Sequence, residues 1–360
     1  MITISEVLVY LCFSILIGSF LIALLPSSLK PEVEVRRWIQ IVATIGIAFF
    51  SFIPIFLLVL NLDKRNGFSE TLQMVLYTFE VGKAWIFTFL VASILFIFLL
   101  SFKNQKKRIY SIVGLILTFL LILGLGWASH ATSIEHIKGF ITHTTHFAAV
   151  TVWIGILLMV SWFSKGTSNW LNFLKWFTPV AAVCFCITII SGLVLMTFVV
   201  DFATYTNAWM LPYGQLLLIK HLLIIPLLVY AALNSIFIKK KLQTDPSFNP
   251  KPWAKVEGLV VLLVFSVTAA LGHQSPPSEN TFKNEGPSKL FSYFYQGQNL
   301  QAFRVELTLN ATGLSLLILS ILFIWLTIYA FLKKAPAWTT FLLSILFVFS
   351  SYLALIWSIK

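Results

Sequence analysis

Charge is scarce in this chain: 11% of its 360 residues are Asp, Glu, Lys or Arg, against about a quarter in a typical soluble domain. Water is therefore excluded as its main solvent. Cysteine is scarcer still. Cys12, Cys184 and Cys186 all lie inside apolar segments, which excludes the disulfide framework of a small secreted protein. No GxxxxGK[ST] loop is present, so no ATP-driven pump is encoded in these residues. Alternating apolar and polar residues, the mark of a membrane β-barrel, are also missing. Neither an internal repeat nor a soluble domain can be traced.

The sequence does contain long, continuous apolar runs, and 59% of its residues are hydrophobic. A helix needs about 20 such residues to cross the hydrocarbon of a bilayer, and only helices or closed barrels satisfy the backbone there. The runs predict ten spans, at about 5–25, 39–61, 83–102, 109–128, 139–163, 174–200, 214–237, 254–272, 312–332 and 337–358. The expected fold class is all-α, a polytopic transmembrane helical bundle of about ten helices in the cell membrane. The first run, from Glu6 to about Leu25, exceeds a signal-peptide core and has no basic flank before it, so it is expected to be a retained helix. Residues 68–82 read as a loop or interfacial helix. The expected organisation is an eight-helix core over 1–278, an extracytoplasmic loop over 279–311 and a two-helix hairpin over 312–360.

The net charge of +12 would suggest nucleic acid in a soluble protein, but the basic residues here sit in short connections between spans. They set topology instead. With the N-terminus outside, the inner connections, which include Arg36, Arg37, Lys103, Lys106, Lys239 and Lys240, hold about twice as many Lys and Arg as the outer ones, where Lys64, Arg65 and Lys360 fall. Both termini are thus expected to be extracytoplasmic. The twelve tryptophans, often near span ends, fit an interfacial aromatic belt.

That topology places all six histidines on the outer side. His130 is expected to end the fourth span and His136 to lie in the loop after it. His143 and His146 fall in the first two turns of the fifth span, His221 about two turns into the seventh, and His273 at the end of the eighth. A spacing of three puts His143 and His146 on one helical face. Ionisable side chains inside a span are costly and usually face a cavity or pathway. Neutral imidazole suits copper, zinc, iron and nickel alike, so residue type alone does not choose the metal. Met196 and Met210 lie on the same side and would bias a site toward Cu(I), though both also read as packing. Cys184 and Cys186 diverge by about 200° on a helix, a poor chelate that leaves at most one thiol as a relay. Asp201 and Glu80 are candidate attractors for a cation or, more simply, solvated end charges. Lys220, beside His221, cuts against a simple cation path and could orient a carboxylate.

At these residues a family resemblance enters. The segment His146-Phe-Ala-Ala-Val-Thr-Val-Trp153-Ile-Gly155 resembles the HLxAxxxWxGG segment of the copper resistance protein D family, with Ile156 in place of the second glycine. Pro212-Tyr-Gly-Gln-Leu-Leu-Leu-Ile-Lys220 is similar to that family's PYGRLLLLK, and Ala231-Ala-Leu-Asn234 to its GALN. Glu257, the Pro276-Pro277 stop, Phe79-Glu-Val-Gly-Lys-Ala-Trp85 and Trp127-Ala-Ser-His-Ala131 match further motifs in order. The likeness covers roughly residues 1–278. It implies a copper transport or resistance protein, not an enzyme, that works with a periplasmic or extracellular copper-binding partner. Departures are Gln215 and Lys83 at usual arginine positions, the hairpin after residue 311, and the lack of a fused copper-binding domain. The expectation is that copper, as Cu(I) or Cu(II), is taken at an outward cluster of His130, His143, His146 and His273, with His136 and His221, and is transported or handed on. Alternatives are a haem b redox protein, in which histidines from neighbouring helices ligate the iron, and a membrane assembly or structural subunit whose histidines gate a contact. No nucleic-acid partner is expected.

Overall fold

The computed structural model describes residues 1–62, 67–102, 107–297, 303–308 and 310–359. Lys64, Arg65, Lys103, Lys106 and Lys360, used in the charge comparison, lie outside the described residues. Among the described residues the only extended pairing is two isolated bridges. Among the described residues ten helices are long and apolar enough to cross a membrane, and the chain is a multi-pass all-α membrane protein. It divides into two compact units, Met1–Phe198 and Val199–Lys360.

The first unit contains α1 (Ile2–Leu24), α2 (Arg37–Leu62), α3 (Phe68–Thr78), α4 (Glu80–Ser101), α5 (Arg108–Trp127), α6 (His130–Phe163) and α7 (Trp170–Thr197). Burial separates their roles: 56% of the most apolar window of α1 and 61% of that of α6 are buried, against 17% for α7. The first two form the core, and α7 gives most of its surface to lipid. Their interface is close because it is built from glycines. A Cβ on Gly18 would lie 2.1 Å from the Gly155 carbonyl oxygen, so the two backbones touch. Further up, the ring of Phe147 packs against Tyr10 at 5.6 Å and Phe13 at 5.2 Å between centroids. The Gly18–Gly155 and Tyr10–Phe147 contacts keep the same offset in sequence, so α1 and α6 run parallel and start at the same end of the unit.

The stretch 68–82 takes the helical of its two expected forms, as α3 and the start of α4, separated by the extended backbone of Phe79 (φ −83°, ψ 140°). One sequence expectation is corrected here. At the fourth junction His130 opens a helix instead of ending one, because the Ser129 hydroxyl caps it by accepting from the Thr132 amide at 3.3 Å. One turn later α6 kinks at Glu135 and His136, the latter at φ 42°, a conformation rare for residues other than glycine. At the far end of the unit, Val33 bridges to Ser164, and Lys165 pairs with Glu34 and, at 3.8 Å, with Glu32.

The second unit contains α8 (Tyr205–Ala208), α9 (Pro212–Ala232), α10 (Ile238–Thr244), α11 (Lys251–Leu271), α12 (Glu279–Glu285), α13 (Lys289–Phe294), α14 (Ala311–Leu332) and α15 (Ala337–Trp357). A π segment, Leu233–Phe237, joins α9 to α10 in one continuous run. The C-terminal hairpin reaches this run through α15, where Tyr230 and Ser344 share a hydrogen bond of 3.0 Å. Gln215, 1% exposed, donates to the Trp209 carbonyl and accepts from the Tyr352 hydroxyl. The loop predicted over 279–311 is folded where described: Ser278 and Ser288 cap its two short helices, the Ser288 amide donates to the Met210 carbonyl at 2.7 Å, and Phe291 is buried.

Candidate functional site

The end of the first unit where α1 and α6 begin gathers several ionisable side chains. His143 and His146 lie one turn apart on α6, both half-buried. The His146 Nδ1 is 3.0 Å from the Ser191 hydroxyl on α7. The same hydroxyl also lies 2.5 Å from the Ile187 carbonyl oxygen and 3.3 Å from that of Thr188. The contact holds the ring against α7, with donor and acceptor set by the tautomer. Gly192 leaves room for the ring edge, since a Cβ there would come 3.4 Å from Cε1. The ring of His143 stacks parallel to Phe147 at 6.5 Å.

Across from them stands α1. Glu6, hydrogen-bonded to Tyr10, lies one turn above the Tyr10–Phe147 contact, and the parallel register brings it level with His143. Below this level the unit turns apolar: Phe13 and Phe147 lead into a cluster with Leu16, Ile17 and Phe20, and the Gly18–Gly155 contact closes the seam. The arrangement is a level of ionisable side chains above an apolar floor. A groove of about 550 Å³ between α2 and α4, lined by Phe49, Phe52, Trp85 and Phe89, has no ionisable side chain.

The other predicted site residues are placed as follows. His130 and His136 belong to the same helical run as His143 and are exposed, so all four histidines of this unit come from one element. A haem held between histidines on facing helices is not available there. Glu80 pairs with Lys83 at 2.8 Å and accepts from the Trp127 indole at 3.0 Å, tying α4 to α5. Cys184 is buried and Cys186 exposed, so their thiols point to different sides of α7. Met196 is buried.

In the second unit His221 shares a hydrogen bond of 2.8 Å with Tyr205. Burial pushes the Tyr205 phenol up to about 12, so it stays protonated. Met210 is fully buried beside Trp209 and Phe291. His273 and Asp201 are exposed, and Asp201 caps a 3₁₀ turn by accepting from the Ala203 amide at 3.0 Å. Glu257 is buried on α11 and accepts from Asn234, in the π segment, at 2.6 Å. Among the described residues no three His, Cys, Asp or Glu side chains are grouped closely enough to hold a metal ion. Glu6, Tyr10 and Ser191 were absent from the expected site. For Glu6 a signal existed, a carboxylate in the first turns of an apolar run; Ser191 had none.

These features define a multi-pass helical membrane protein with ionisable side chains gathered at one end of its first unit. The family model described as copper resistance protein D-like, N-terminal domain, matches residues 1–140, and that described as copper resistance protein D matches residues 171–271. The chain belongs to the copper resistance protein D family. His143 and His146 fall between the two matched stretches. Copper transport protein CutJ of Bacillus subtilis (strain 168) is 24% identical over 302 residues, 77% of this chain and 54% of that protein. The chain thus spans about half the length of that relative. Inner membrane protein YebZ of Escherichia coli (strain K12) is 26% identical over 223 residues, 57% of this chain and 73% of that protein. No solved structure matches the chain at a significant level.

Proposed function

We propose that this protein takes copper at the extracytoplasmic face of the cell membrane and transports it or hands it on, with His143 and His146 as the first ligands. The observation that carries this reading is the fixed ring of His146. Its Nδ1 lies 3.0 Å from the Ser191 hydroxyl, and a second imidazole stands one turn away on the same helix. Histidine ligands commonly have their other nitrogen bonded in this way. The family membership and the name of the CutJ relative support copper as the cargo. The excess of Lys and Arg in alternate connections supports an outward-facing site with both termini extracytoplasmic. His130 and His136, exposed at the same end, are proposed to collect the ion. His221 and His273 are proposed as donors of the second unit, and a soluble extracytoplasmic copper-binding protein as the partner. The role is one of binding and transfer, not catalysis.

The test is the metal content of untagged, purified protein after copper loading. The double variant His143→Ala/His146→Ala should lose most of the bound copper. Unchanged stoichiometry in a folded double variant would overturn the proposal.

A further inference from the structure

We infer that the site selects the oxidised, divalent ion, Cu(II), and that Glu6 of α1 supplies its carboxylate ligand; this rests on the copper reading of His143 and His146. The first ground is the chemistry of the side chains at that level, which are imidazole, carboxylate, phenol and hydroxyl. Nitrogen and oxygen donors suit Cu(II), whereas Cu(I) is selected by thiolate and thioether sulfur. Sulfur is placed elsewhere. The Cys12 thiol faces α2, since a Cβ on Gly46 would come 2.7 Å from it. Cys184 lies two turns, about 10 Å, deeper along α7 than Ser191. Met196 is about 140° around α7 from Ser191, and Met1 the same angle around α1 from Glu6.

The second ground is geometric. Gly18 meets Gly155 and Tyr10 meets Phe147, and one turn further along both helices that register brings Glu6 level with His143. Glycine contact keeps the two helices close, so a carboxylate and two imidazoles stand at about one level on two neighbouring helices. In the present structure these groups are not converged on a point, and Glu6 is bonded to Tyr10. Binding would exchange that hydrogen bond for the metal. The third ground is charge. A divalent ion leaving water at the edge of a bilayer needs a compensating negative group, and Glu6 is the acidic residue that α1 and α6 bring to this level. A monovalent ion held by two neutral imidazoles would need it less.

The experiment loads the purified full chain with copper(II) sulfate, or with Cu(I) in competition with bicinchoninate, under otherwise equal conditions. The expected result is a tetragonal Cu(II) electron paramagnetic resonance signal with nitrogen hyperfine structure, abolished in His143→Ala/His146→Ala. Glu6→Gln should weaken Cu(II) by at least about tenfold, while Glu6→Asp retains most of the affinity. If Glu6→Gln fails to fold, Glu6→Asp and the Cu(I) competition still decide. Histidine-dependent binding of Cu(I) with no Cu(II) signal, or full Cu(II) affinity in folded Glu6→Gln, would overturn the inference and leave the copper site standing. Binding of neither ion would remove the copper reading itself.

Discussion

The hydroxyl of Ser191 stands between the His146 ring, 3.0 Å away, and the Ile187 carbonyl, 2.5 Å away. It ties the imidazole to the backbone of α7 and so fixes the orientation of the ring. Ser191→Ala should therefore lower copper affinity by about tenfold without removing either histidine. A copper titration on folded protein checks this, with nuclear magnetic resonance of labelled imidazole reporting the tautomer. Unaltered affinity would show that Ser191 only packs.

A methyl group at the α1–α6 contact has no space, since a Cβ on Gly155 would lie 2.4 Å from the Ser14 carbonyl oxygen. Gly155→Ala is expected to destabilise the first unit by about 1–3 kcal/mol, the usual range for overpacking a tight interior. Gly166, whose Cβ would meet nothing within 4 Å, provides the control. Thermal unfolding in detergent compares the two, and equal midpoints would contradict the close approach.

Gln215 occupies a position where the resemblance led us to expect arginine, and in this chain its amide is held by the Trp209 carbonyl and the Tyr352 hydroxyl. Tyr352→Phe should strand a buried acceptor at a cost of about 1–3 kcal/mol. Tyr293→Phe, at a ring that is 81% exposed, should change nothing measurable. Unfolding of both variants tests this. The neutral glutamine goes with the C-terminal hairpin that supplies Tyr352, so these two departures from the family pattern meet in one hydrogen bond.

Orientation is tested by thiol labelling in a background without native cysteines. A cysteine at Asn249 should react only after the membrane is permeabilised, and one at Lys283 should react in intact cells. The reverse pattern would put the site on the cytoplasmic side and rule out outward uptake.

The ten spans were legible because bilayer thickness sets a length that an apolar run either reaches or does not. The junction at His130 was not, because it depends on a local competition: Ser129 caps a new helix immediately after α5 ends, and no hydropathy change marks the place. His143 and His146 could be found from their spacing alone. Ser191 and Tyr10 could not, since their part depends on which helices become neighbours and in what register. The glycines at 18 and 155, which set the register between α1 and α6, look unremarkable until they are seen in contact.

The meeting of Gly18 and Gly155 also has a mechanical side. Two bare backbones in contact resist being pushed together, so any tilt of α1 against α6 would turn about this point. Glu6 sits about 18 Å along α1 from it, and a tilt of about 10° there would carry the carboxylate sideways by about 3 Å. That is the scale of the gap between a side chain resting on a neighbour and one drawn onto a metal. Tyr10 and Phe13 lie on that lever arm against Phe147, so the give in these aromatic contacts sets how far the carboxylate can travel.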